Sequence, residues 1–256
     1  MAGRPLTTPD VGQQATDFAQ RIETLLQNVL GGNDDGYVAE PEGMSLRACR
    51  TGYRITQRDA RGVSLNSDGE KVAGLSFRFH CSCRNENSWL QIDKSVIMVT
   101  AEPEHVPLFH YDYNRGRTSE TPGAHVNIFG SNDAATRIML SCGKGLRSKS
   151  RRRKYINDGA FPTFSTLHFP VGGDRFRPGL EDVLQMTVYE FHIDATDDWE
   201  KHLNQSRAEY RERQLKALVR EYPDLAWDAL TEGGADLAER PKRPHRSDRP
   251  GVLVKY

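Results

Sequence analysis

Val72-Ala73-Gly74-Leu75-Ser76-Phe77-Arg78-Phe79-His80-Cys81-Ser82-Cys83 alternates with a period of two. Leu75, Phe77, Phe79 and Cys81 fall on one face and Ser76, Arg78, His80 and Ser82 on the other, which predicts a β-strand with one face turned to a core. Segments 44–58, 88–99, 108–113, 124–129, 136–141 and 164–170 also read as strands, many with the same alternation. The joins carry turn formers, as in Asn66-Ser67-Asp68-Gly69 and Arg84-Asn85-Glu86-Asn87. Successive strands with short connectors favour an antiparallel meander over βαβ units.

Helical spacing flanks this block. Ala15, Phe18, Ala19, Ile22, Leu25, Leu26 and Val29 form one stripe after Asp10 and before Gly31-Gly32, so a helix is expected over about 10–30. Leu180, Val183, Leu184, Val188 and Phe191 form another stripe, and a third helix is expected from about Thr196 to Tyr222-Pro223. The expected fold is therefore α+β: a mostly antiparallel sheet over about 44–170, one N-terminal helix, and two C-terminal helices within about 179–222. Residues 1–238 read as one domain, and 239–256 as a Pro- and Arg-rich, basic and disordered tail.

The chain has 256 residues, with 35 Lys+Arg against 35 Asp+Glu. That balance excludes an acidic solvating segment and a uniformly basic nucleic-acid coat. No apolar run approaches the roughly 20 residues of a membrane span, so no membrane partner is expected. Four cysteines (Cys49, Cys81, Cys83 and Cys142) are too few and unevenly spaced for a disulfide framework, and a reduced cytoplasmic setting is expected. Cys81 and Cys83 read as core thiols rather than metal ligands, for want of a second close pair. Arg outnumbers Lys 26 to 9, a skew that genome composition produces as readily as phosphate recognition does.

Three segments carry candidate chemistry: Leu108-Phe109-His110-Tyr111-Asp112-Tyr113, Ala124-His125-Val126-Asn127-Ile128 and Thr166-Leu167-His168-Phe169-Pro170. Residues two apart on a strand share a face, so His110 projects with Asp112, and His125 with Asn127. Each histidine lies opposite an apolar set. If these strands share one sheet, three imidazoles, a carboxylate and a carboxamide converge. Such a group suits general acid–base catalysis near neutral pH, including RNA cleavage without a metal. It equally offers His110, Asp112, His125 and His168 as ligands to Zn, Mn or Fe, so the cofactor is either none or a divalent metal. A third reading is a plain polar sheet face with no chemistry.

Two further features bear on a substrate. Gly172-Gly173-Asp174-Arg175-Phe176-Arg177 leads into the helix near Leu180, so a helix start with Arg175 and Arg177 is a candidate phosphate cradle, contested by Glu181 and Asp182. From Lys144 to Lys154 there are seven cations and no acid, namely Lys144, Arg147, Lys149, Arg151, Arg152, Arg153 and Lys154. With Gly143, Gly145, Ser148 and Ser150 among them this stretch reads as a loop that tracks a nucleic-acid backbone, or as a solvated loop.

The run His110-Tyr111-Asp112-Tyr113, His125-Val126-Asn127, Leu167-His168-Phe169-Pro170-Val171-Gly172-Gly173 and Arg175-Phe176-Arg177-Pro178-Gly179-Leu180-Glu181-Asp182 is similar to a pattern in uncharacterised bacterial proteins. It resembles toxin-like families of toxin–antitoxin and phage-defence loci, in which a strand bearing Arg/His-Tyr-Asp precedes further histidines. The resemblance covers roughly residues 105–192. The expected function, read from the histidine pattern, is a phosphodiester-cleaving hydrolase of the nuclease type acting on RNA. On that reading His125 and His168 form the acid–base pair, Asp112 orients an imidazole, Arg175 and Arg177 hold phosphate, and the basic stretch binds the strand. The alternative is a non-catalytic module docking protein or nucleic acid.

Overall fold

The computed structural model describes residues 10–46, 50–83, 89–115, 121–141, 146–172 and 176–237. The fold is α+β, with one eight-stranded, antiparallel sheet. The strands are β1 (Glu42–Leu46), β2 (Arg50–Thr56), β3 (Val63–Ser67), β4 (Glu70–Ser82), β5 (Gln91–Ala101), β6 (Val106–Asn114), β7 (Ala124–Ile128) and β8 (Phe169–Pro170). Their order is β1-β2-β4-β5-β6-β7-β8, and β3 pairs with β4 beside β2. β4 can hold both because it is 13 residues long: β3 takes its first half and β2 its second.

The β4 alternation sets the two faces. Leu75, Phe77, Phe79 and Cys81 are buried, and Ile97 and Val99 continue that face on β5. On the same face pack helices α1 (Val11–Leu30), α4 (Leu180–Phe191) and α5 (Trp199–Glu221), through Ile22, Leu26, Val29, Leu184 and Leu203 among others. Burial of this apolar surface is the main source of stability. On the opposite face Arg78 is exposed, and His80, Val96, Met98, His110 and Asp112 remain partly exposed.

Burial of Cys81 pushes its thiol up to about 12, which leaves it an inert core residue. Cys49 and Cys142 lie outside the described residues. So does the 239–256 segment. Among the described residues, no helix is long and apolar enough to cross a membrane.

Four local expectations are corrected. Residues 136–141 belong to a helix, α2 (Asp133–Ser141), not a strand. The Asn132 side chain accepts from Ala135 N at 2.9 Å and caps it, outweighing the apolar run Ile138-Met139-Leu140. Residues of the basic stretch from Leu146 on form a helix, α3 (Leu146–Asp158), not a loop. Arg and Lys are good helix formers, and the serines do not interrupt them. Residues 164–170 form a 3-10 turn (Phe164–Thr166) and then only the two-residue β8. Pro170 lacks an N–H and cannot extend a ladder. Finally, Pro223 ends α5 but also opens another helix, α6 (Pro223–Glu232), as proline in a first helical turn can. The sequence gives no separate signal for β3, because its five residues precede a turn whose signal dominates the window.

Glu23 ties α1 to the chain that leads into the sheet. Its carboxylate accepts from Tyr37 N at 2.9 Å and Val38 N at 2.7 Å. These are charge-assisted bonds to partly buried donors, so Glu23→Ala is expected to lower the unfolding free energy by about 2 kcal/mol. Urea unfolding followed by circular dichroism measures this; an unchanged midpoint contradicts it.

Candidate active site

The register of β6 against β7 builds the site. His110 stands directly opposite Asn127, and Asp112 opposite His125, all four on the face away from the helices. After β7 the chain leaves through α2 and α3 and returns as residues 164–170, where β8 closes the sheet edge and sets His168 beside them. The rings of His125 and His168 meet edge to face with centroids 4.6 Å apart.

Asn127 is the hub. It is 2% exposed, and its Oδ1 lies 3.1 Å from His110 Nε2. Its amide nitrogen donates to Ser165 O at 2.9 Å and Leu167 O at 2.8 Å, and lies 3.2 Å from His168 Nδ1. Those two carbonyls belong to the irregular return segment, where no strand partner takes them, so the carboxamide replaces the missing ladder.

The proton positions follow from the partners. An amide oxygen only accepts, so His110 carries a proton on Nε2, and the same N–H faces Asp112 Oδ2 at 3.2 Å. His110 Nδ1 has no hydrogen bond among the described residues. The amide nitrogen has two hydrogens and gives them to Ser165 O and Leu167 O, so its 3.2 Å contact with His168 Nδ1 places that ring without fixing its tautomer. His125 is different: it is 2% exposed, with Nδ1 2.9 Å from Pro122 O and Nε2 3.5 Å from Asp112 Oδ2. Both partners are oxygens, so the buried ring is held at both of its nitrogens. Burial by itself raises the Asp112 carboxyl, but hydrogen bonds from His110 and His125 and the attraction of the same rings outweigh it. Asp112 is thereby held well below the ordinary carboxylate range.

Other sequence-selected residues fall elsewhere. Arg177 lies on the helix-covered side of the sheet, its guanidinium carbon 3.8 Å from the Tyr113 ring centroid. Tyr113 and Asp112 are consecutive on β6 and so point to opposite faces, which separates Arg177 from the histidines. Lys144 and Arg175 lie outside the described residues, as does the side chain of Arg147. The start of α4 is taken by its own carboxylate: Asp182 accepts from Gly179 N at 2.8 Å, so the expected anion cradle is filled from within. Gly172 has φ +59°, and a Cβ there would meet Phe176 O at 2.2 Å, so this tight turn after His168 requires glycine.

Helix α3 does reach the site. Arg151 donates to Thr166 O at 3.0 Å, between the two residues whose carbonyls hold Asn127, and Arg152 donates to Leu140 O at 3.3 Å. Lys149, Arg153 and Lys154 are exposed and form no ion pair among the described residues. His110 Nε2 and His125 Nε2 both face Asp112 Oδ2, while His168 Nδ1 faces Asn127. Among the described residues, no three His, Cys, Asp or Glu side chains are disposed to share a metal ion.

Sequence reasoning missed Pro122 O, Ser165 O and Leu167 O. Backbone acceptors carry no residue-type signal, and only the burial of Asn127 reveals them. No protein-family model, no curated protein and no solved structure matches this chain.

Proposed function

We propose that this chain cleaves RNA by acid–base chemistry, with His110 as base and His168 as acid. The carrying observation is that one buried carboxamide, Asn127, lies between both rings, its oxygen on His110 Nε2 and its nitrogen 3.2 Å from His168 Nδ1. That leaves His110 Nδ1 with a lone pair, and His168 protonated on Nε2 supplies the complementary state a phosphodiester transfer needs. His110 Nδ1 takes the proton of a ribose 2′-hydroxyl as O2′ attacks phosphorus. The P–O5′ bond breaks, and the leaving oxygen takes the proton from His168 Nε2. The products are a 2′,3′-cyclic phosphate and a 5′-hydroxyl.

His125 moves out of the acid–base pair on this reading. It is buried with both nitrogens engaged, so its role is to hold Asp112, which in turn orients His110. Asn127 fixes the His110 tautomer and positions the His168 ring. Exposed Lys149, Arg153 and Lys154 on α3 supply the charge that draws in an RNA backbone. A toxin or phage-defence role, as the pattern over residues 105–192 suggests, is part of the same proposal. A cytoplasmic setting suits this activity and agrees with Cys81 and Cys83 as buried cysteines.

The test is incubation of the full chain with end-labelled single-stranded RNA in excess EDTA. Cleavage leaving cyclic phosphate ends is expected. RNA that is bound but uncut, or cut only when a divalent metal is restored, overturns the proposal. A Lys149→Glu/Arg153→Glu double variant is expected to weaken RNA binding about tenfold. It should also flatten the slope of log K against log salt by roughly 0.7 for each phosphate that is no longer neutralised. Fluorescence anisotropy at several salt concentrations reads both.

A further inference from the structure

On the helix-covered side of the sheet, a cavity of about 270 Å³ lies between α1, α5, the start of α4 and strands β4 and β5. Its inner lining is largely apolar, including Leu25, Phe79, Ile92, Ile97 and Leu180. Ser95 stands among them, in the row Phe79–Ser95–Tyr113, and is 6% exposed.

The mouth is charged unevenly. Glu209 is occupied by Arg213 at 3.7 Å and Gln205 at 3.4 Å, and Glu181 by Ser206 at 2.6 Å. Arg21, beside the Phe18 ring, has no carboxylate within 4.0 Å among the described residues. Arg21 is exposed at the mouth. Partial desolvation of its guanidinium, and Arg213 nearby, both disfavour its charge; Asp17 and Glu209 offset this. An anion at the mouth would relieve both effects.

We infer that this cavity is a binding site for a small amphipathic carboxylate, its apolar body inside and its head on Arg21. The volume is below the roughly 300–1,000 Å³ of drug-sized pockets, which points to a short aliphatic or single-ring body. The sheet separates this cavity from the histidines, and the inference stands whether or not the chain cleaves RNA.

The experiment titrates octanoate and 1-octanol into the full chain and follows assigned backbone amide resonances. Octanoate is expected to shift Ile22, Ser95 and Leu180, and to bind more tightly than octanol. Arg21→Gln should weaken octanoate about tenfold, the ratio expected on removing one charge-assisted bond, and leave octanol unchanged. Arg21→Lys should retain most of the affinity. Thr24→Trp, at an exposed position lining the mouth, should weaken both probes. Equal affinity for the two probes, indifference to Arg21→Gln, or shifts confined to other parts of the chain would overturn the assignment, as would no binding of either probe.

Discussion

Alanine at either His110 or His168 is expected to reduce RNA cleavage by a factor of about 10²–10⁴, the range typical of a positioned acid or base. Combined, the two substitutions should cost little more than the larger one alone, because groups that act in one step lose their effects together. Both variants should keep a melting temperature near that of the wild type. The His110 side chain is 20% exposed and His168 is half-buried. In each variant Asn127 retains Ser165 O and Leu167 O. His125→Ala should behave differently, losing activity and stability together, because it empties a buried position and removes a partner from Asp112. Single-turnover cleavage alongside thermal unfolding separates the two patterns. A His168→Ala chain with full activity would remove the acid from the scheme.

Asp112→Asn carries the second large effect, and it falls on stability. The substitution takes the carboxylate away from His110 Nε2 and from the buried His125 Nε2. Breaking a fully buried pair costs roughly 3–5 kcal/mol. Asp112 is 31% exposed, so water recovers part of that, and a loss of about 2–3 kcal/mol is expected. The pH dependence has a definite sign. The Asp112 carboxyl is depressed in the folded chain, so its contribution is complete above the unfolded value near 3.9 and disappears as pH falls through the lower folded value. The gap between wild type and Asp112→Asn should therefore be constant from about pH 7 to 5 and narrow below about pH 4. Urea unfolding of both chains at pH 7, 5 and 3 measures it. A gap that stays the same at pH 3 would show that the carboxylate is not held by the rings.

What can be read in advance depends on whether a residue's role is set by its neighbours in sequence or by distant backbone. Period-two alternation places His110 with Asp112 and His125 with Asn127, because side-chain direction on a strand is a local property. The β4 alternation likewise announces which face the helices cover. It fails where tertiary structure overrides local pattern. His168 is expected on a strand, yet its segment is a short turn held by the Asn127 amide, 38 to 40 residues earlier. The serines of the basic stretch suggest a loop, but α3 packs by Arg151 and Arg152 on carbonyls that no sequence pattern marks. Arg177 groups with the histidines in sequence because it follows His168 closely. The turn at Gly172 instead carries the chain towards the other side of the sheet, onto Tyr113. The burial of His125 depends on Pro122 O and on closure by β8, and neither is a property of residue 125.

The central claim is that a ribose 2′-hydroxyl is the nucleophile and His110 its base. The most direct measurement compares two end-labelled oligonucleotides of one sequence in EDTA, one all-RNA and one with 2′-deoxyribose at each cleaved junction. Cutting of the RNA at those junctions, with the deoxy-substituted strand intact there, is the predicted result. Equal cutting of both strands, or of neither, would contradict it.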